Sequence, residues 1–169
     1  ETITVGRADP ENSRLILRHV SPFLLTEVIS RIMAYSNNFM ANQVLLATGA
    51  RVYGPPATLE KGVQALTAYA RDKLGIFPVI AEGSGISRKN RISARMFGPL
   101  LRAFAPYHHL LPEKDGIFCK TGTLDGIQTR VGYIIYQEKL YGFTVLINTP
   151  GRRADPVMQA IARSIRRMQ

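Results

Sequence analysis

Lys120, Thr121, Gly122 and Thr123 place a cation, a hydroxyl, a residue without a side chain and a second hydroxyl in four consecutive positions. The β-rich run Ile117 to Cys119 leads into them, so the group reads as the continuation of a strand. Alternate side chains of a strand share a face, which sends Lys120 and Gly122 one way and Thr121 and Thr123 the other. Glycine there leaves room for the backbone of another molecule, and an edge strand offers free N–H groups to an extended peptide. This is equipment for holding a carboxylate. A second polar group lies upstream, where Ser36 and Asn38 form Ser-x-Asn within Tyr35 to Asn42. Each group is short enough to recur by chance, and the informative feature is their order in one chain.

The elements that must position these residues follow from the hydrophobic pattern. Glu1 to Val5 and Leu15 to Val20 read as short strands, the tail of an upstream unit covering residues 1–20. Ser21-Pro22 has the composition of a helix start, and Leu25, Val28, Ile29, Ile32 and Met33 then recur at helical spacing up to Tyr35. Ser36 and Asn38 therefore sit between that helix and the next, about Phe39 to Ala47. Two roles suit them there, capping of orphan N–H groups and projection into a cleft. Thr58 opens a third helix that Gly75 stops, and Ser93 caps a fourth that runs through Phe104 to Pro106. Between them, Glu82-Gly83-Ser84-Gly85 lacks the spacing and the Gly-Lys-Ser/Thr of a phosphate-binding loop and reads as a tight turn.

From Gly116 the period changes to that of strands. Ile117 to Thr123, Thr129 to Tyr136 and Tyr141 to Asn148 form an antiparallel three-stranded meander, followed by a helix from Asp155-Pro156 with Val157, Ile161, Ile165 and Met168 on one stripe. The expected organisation is one unit over 21–169, helical over about 21–110 and sheet plus terminal helix over about 111–169.

With 169 residues, 46% of them hydrophobic and 20% charged, the chain can bury one core. It begins at Glu1 without an initiator Met or a leader-like segment, and reads as a soluble piece of something longer. The net charge of +10 suits an anionic partner, but the basic residues are scattered without aromatic interleaving, so nucleic acid is not expected. Arg152, Arg153, Arg163, Arg166 and Arg167 read as a solvated helix face. Adjacent His108 and His109 lack a carboxylate or Cys at ligand spacing, so no metal is expected, and no cofactor. The single Cys119 excludes an internal disulfide.

Taken together, SPFLLTEVISRIMAYSNNFMANQVL, EGSGISRKNRISARMF and KTGTLDGIQTRVGYI resemble the C-terminal part of the D-alanyl-D-alanine carboxypeptidases, penicillin-binding proteins of the peptidase S13 family. The resemblance runs from about Ser13 to the end. It implies an α/β (α+β) fold of the serine β-lactamase and penicillin-binding transpeptidase type, present in part. It implies a hydrolase of the periplasm or cell envelope, acting on peptidoglycan stem peptides by acyl-serine chemistry and acylated by β-lactams. Ser36 is then the hydroxyl that relays a proton to the leaving amine, Asn38 a donor to the substrate amide, and Lys120 the cation that tunes the relay. Thr121 and Thr123 bind the terminal carboxylate, with Gly122 between them and the Thr123 N–H as half of the oxyanion hole.

Two departures bear on this. Glu82 stands where the family's glycine loop has Asp, a modest change. More seriously, Ser13, Ser21, Ser30, Ser36, Ser84, Ser87, Ser93 and Ser164 all lack Lys three positions later. Without Ser-x-x-Lys there is no activated nucleophile. The expectation is a C-terminal fragment, inactive by itself, whose partners are its own missing N-terminal part, the peptide substrate and β-lactams. In the family the last of these strands has a neighbour from that missing part. Tyr141 to Asn148, with Phe143, Val145 and Ile147, is therefore expected to be an open edge through which copies self-associate. The competing reading is a non-catalytic peptidoglycan- or envelope-binding module.

Overall fold

A computed structural model describes residues 20–168 together with Asp9, Glu11, Arg14, Ile16 and Leu17. The strand expected over Glu1 to Val5 lies outside the described residues. That over Leu15 to Val20 does so in part, and Ile16, Leu17 and Val20 are exposed and not in a strand.

The described residues form five α-helices and one antiparallel sheet. Helix α1 is Leu25–Tyr35, α2 Asn38–Tyr53, α3 Leu59–Leu74, α4 Ala94–Phe104 and α5 Ala154–Arg166, with a 3₁₀ turn at Ala105–Leu110. Strands β1 Glu113–Lys114, β2 Ile117–Leu124, β3 Ile127–Tyr136 and β4 Lys139–Ile147 lie in that order across the sheet. The expected three-stranded meander is corrected to four strands. The addition is the two-residue β1, which pairs Glu113 with Phe118 and Lys114 with Ile117 and is too short to carry a periodic signal.

The sheet has a helical layer on each face. On one face Ile117, Ile134, Phe143 and Val145 pack against Ala154, Ala162 and Ile165 of α5, and Ile134 is wholly buried. On the other, Tyr133, Phe118, Val131 and Leu140 pack against Leu101, Phe97 and Phe104 of α4 and against Met33 of α1. The Tyr133 hydroxyl donates to the Leu101 carbonyl at 2.5 Å, and burial pushes its pKa up to about 12. This pins α4, and through it the helical part, to the strand beside β2.

Two glycines decide how α2 and α3 meet. A Cβ on Gly62 would stand 2.7 Å from the Leu45 carbonyl oxygen and 2.8 Å from the Leu45 side chain, and one on Gly49 would overlap the Gly62 backbone. Bare backbone lets the helices touch, and α2 runs on to Tyr53 to make that contact, beyond the expected end at Ala47. Helix α1 begins at Leu25, not at Ser21-Pro22. The Leu24 N–H donates to the Glu27 carboxylate at 2.7 Å, so a carboxylate in the first turn performs the capping.

Strand β4 is a sheet edge, as expected, but its apolar side chains are not free. Phe143 and Val145 are already buried against α5, which corrects the picture of an exposed apolar ridge. What β4 leaves unpaired among the described residues is backbone.

Candidate active site

Helix α1 ends at Ser36, whose φ of 52° and ψ of 44° lie in the left-handed region. Its N–H donates to the Ile32 carbonyl at 2.9 Å, closing the last turn. Asn37, not Ser36 or Asn38, caps α2, its Oδ1 accepting the Met40 N–H at 2.9 Å. Capping therefore falls to the middle residue of Ser-x-Asn, which leaves the Ser36 and Asn38 side chains exposed on either side of it. A non-glycine residue held in this region is a small local strain of the kind that collects at functional sites.

The Lys120 ammonium, from β2, donates to Ser36 Oγ and, at 2.9 Å, to the Thr121 carbonyl oxygen. The two side chains come from positions 84 residues apart. Burial pushes the Lys120 pKa down from its usual value, and the neighbouring Cys119 opposes this. A lysine with a lowered pKa and a hydroxyl in its grasp can pass a proton more readily than either group alone in water.

Thr121 and Thr123 are placed differently. Strand pairing sets Thr121 opposite Arg130 and Thr123 opposite Gln128, so alternation turns both threonine side chains to the α5 face, away from Ser36. Their backbone faces the open edge. The Cys119 N–H leaves the sheet on that side to reach the Pro112 carbonyl at 3.0 Å, and the two-residue alternation points the Thr121 and Thr123 N–H groups the same way, beyond the end of β1. On its own face of the strand Gly122 also lies against a side chain of β3. A Cβ there would overlap Oγ1 of Thr129, its partner on β3. Thr129 thus lies on the Lys120 face and brings a third hydroxyl that sequence reading passed over; only register identifies it.

Sequence reading also passed over the loop from Ala81 to Asn90 as a turn, with Glu82 as a modest replacement. Glu82 is its centre. Its Oε2 accepts from the Ser84 N–H at 2.7 Å, Ser84 Oγ at 2.5 Å and Asn42 Nδ2 at 3.2 Å. Its Oε1 accepts from Asn90 Nδ2 at 2.6 Å, the Gly85 N–H at 2.8 Å and the Ser87 N–H at 3.3 Å. Burial pushes this carboxyl up, but the hydrogen bonds from Ser84, Ser87 and Asn42 outweigh it and hold the pKa at about 2. The available signal was a carboxylate ahead of Gly-x-Gly with Asn eight residues on.

One antiparallel sheet covered by helices on both faces carries a Ser-x-Asn helix junction facing a Lys-Thr-Gly strand, with a glycine loop beside them, which is the order and the mixed α+β fold that the resemblance implies. A model of the D-Ala-D-Ala carboxypeptidase 3 (S13) family matches residues 1–113, more than half of the chain, and the chain belongs to that family. The match ends before the Lys120 strand. D-alanyl-D-alanine carboxypeptidase DacB of Haemophilus influenzae is 24% identical over 152 residues, covering 74% of this chain and 31% of the relative. The chain thus spans about a third of the length of the curated relative it matches. The crystal structure of penicillin-binding protein 4 (dacB) from Haemophilus influenzae has a similar fold, with a TM-score of 0.69 at 19% identity over 82% of this chain and 38% of that one. So has a predatory endopeptidase from Bdellovibrio bacteriovorus solved in complex with an immunity protein, at a TM-score of 0.62 and 19% identity over 85% of this chain and 43% of that one.

Proposed function

We propose that this chain supplies the proton-relay and substrate-holding half of the acyl-transfer site of a peptidoglycan D-Ala-D-Ala carboxypeptidase or endopeptidase of the cell envelope. The observation that carries the proposal is the contact between Lys120 and Ser36, which joins the two motifs. Ser36 Oγ passes a proton to the leaving amine as the acyl-serine forms, and Lys120 orients the hydroxyl and stabilises the charge that develops on it. Asn38 donates to the substrate amide. The open edge of β2 takes the peptide, with the Thr123 N–H as one oxyanion donor, a group worth about 3 kcal/mol in such sites. Because the threonine side chains face α5, the C-terminal carboxylate is held by the Lys120 ammonium and the edge at Thr121 to Thr123 rather than by both hydroxyls on the Lys120 face.

The nucleophile and its lysine are supplied from outside these 169 residues, so the chain alone does not acylate. A second reading, a binding module that holds envelope peptides without cleaving them, is favoured by the absence of Ser-x-x-Lys. Labelling by a fluorescent penicillin separates the two. This chain and the gene product extended upstream to its natural start are each incubated with the probe. Labelling of the extended product alone supports the acyl-transfer reading, and labelling of neither sinks it in favour of the binding module. The same acylation would bring β-lactams in as partners.

A further inference from the structure

The loop from Ala81 to Asn90 touches both α2 and the β2–β3 hairpin. Asn42 lies one turn beyond Asn38 on α2, hence on the same side of the helix. Asn42 Oδ1 accepts the Gly83 N–H at 2.7 Å while its Nδ2 donates to Glu82. Gly83 lies so close to α2 that a Cβ on it would stand 2.9 Å from the Ala41 carbonyl oxygen and 3.0 Å from the Leu45 Cβ. At the far end, Arg88 Nη2 donates to the Asp125 carbonyl at 2.7 Å, in the turn that joins β2 to β3. The base is closed by paired hydrogen bonds between Val79 and Arg91, at 2.8 and 2.9 Å, and by Asn90 Oδ1, which accepts from the Ala81 N–H at 2.7 Å.

We propose that Glu82 is a positioning residue: its carboxylate folds the loop into a brace of fixed span between α2, which carries Asn38, and the β2–β3 hairpin, which carries Lys120. The proposal rests on the acyl-transfer reading above for its consequence in catalysis, and on geometry alone for the brace. Six donors converge on the two carboxylate oxygens, four from the loop backbone and Ser84, two from Asn42 and Asn90. No cation is among them, so the charge is balanced by N–H and O–H groups that a loop of another shape would not present together. An amide in place of the carboxylate turns an NH₂ toward some of those donors, and the cluster opens. Arg88 then loses its fixed origin and the hairpin its tie to α2.

The test uses the gene product extended upstream to its natural start, as wild type, Glu82→Gln and Glu82→Asp. Acylation by fluorescent penicillin is followed against probe concentration, and backbone hydrogen exchange is read on the same samples. Misplacement of reacting groups by about 1 Å costs on the order of a hundredfold in rate. Glu82→Gln is expected to lower the saturating acylation rate by roughly 10- to 100-fold with little change in the half-saturating concentration. Glu82→Asp keeps the charged acceptor and is expected to recover to within about threefold. In Glu82→Gln, exchange at Gly83 to Ser87 and also at Asp125 and Gly126 rises about tenfold or more. Loosening of the loop with unchanged exchange at Asp125 and Gly126 overturns the brace. Failure of the wild type to acylate is a failure of the functional reading, and the exchange result still decides the brace. Should Glu82→Gln raise exchange throughout the chain, Arg88→Ala decides instead. It cuts only the exposed end, and unchanged exchange at Asp125 and Gly126 in that variant refutes the proposal.

Discussion

Removing the charge of Asp155 tests how the β2–β3 hairpin is held to the rest of the chain. Arg130 stands opposite Thr121 on β3, and its Nε and Nη2 donate to Asp155 Oδ1 and Oδ2 at 2.7 and 3.1 Å. The Arg130 side chain is 11% exposed and that of Asp155 43%. A fully exposed ion pair is worth about 0–1 kcal/mol and breaking a fully buried one costs about 3–5 kcal/mol. With one end buried and the other half in water, Asp155→Asn should cost about 2 kcal/mol, part of it from lost charge in the first turn of α5. For a chain of this size that is a fall in Tm of about 4–8 °C. The Arg130 hydrogen bond holds the Asp155 carboxyl below its usual value, against the opposing effect of burial. Stability from a depressed carboxylate is complete above its unfolded pKa and is lost as pH falls through the folded one, so the variant should differ from wild type at neutral pH and converge with it in acid. Urea unfolding followed by far-UV circular dichroism at both pH values measures this. A loss below about 0.5 kcal/mol at neutral pH, within the range of ordinary surface changes, would refute the claim that this pair fixes the hairpin.

Gly62→Ala should destabilise by about 1–3 kcal/mol, as overpacking does, because the new methyl meets Leu45 backbone and side chain; equal denaturation midpoints for variant and wild type would show that α2 and α3 separate freely. Glu82, held at about 2 against an ordinary 4.5 for a free glutamate, should contribute stability above the higher value that disappears as pH falls from there toward the lower. The side-chain carbon shift of Glu82 in a pH titration reads that directly, and a midpoint near 4.5 contradicts it. The outer backbone of β4, which has no strand partner among the described residues, should let two copies associate at high concentration, and a strictly monomeric sedimentation profile there counts against this.

The three long strands and the third helix were legible because each is a periodic run, and α3 has a signal at both ends, Thr58 and Gly75; α4 was legible from its apolar stripe in spite of Pro99, although Ser93 precedes it without the expected side-chain cap. Boundaries set by tertiary contact were not. Helix α2 passes through Thr48-Gly49, which reads as a stop until Gly62 is known to lie against it. The pairing of Ser36 with Lys120 could be inferred only through resemblance, since nothing local links positions 84 apart. Register placed Thr129 over Gly122, and a three-dimensional cluster made Glu82 a hub. Spacing along the chain gives no sign of the first, and for the second only a carboxylate ahead of Gly-x-Gly with Asn eight residues on.

In the gene product extended upstream to its natural start, release of D-Ala from a peptide ending in D-Ala-D-Ala is measured for wild type and Lys120→Ala. If Lys120 and Ser36 form the relay, turnover falls by about 10²- to 10⁴-fold, the usual contribution of positioned proton transfer, while hydrogen exchange in α4 and β3 is unchanged. Turnover equal to that of wild type would contradict the assignment of the relay to this pair.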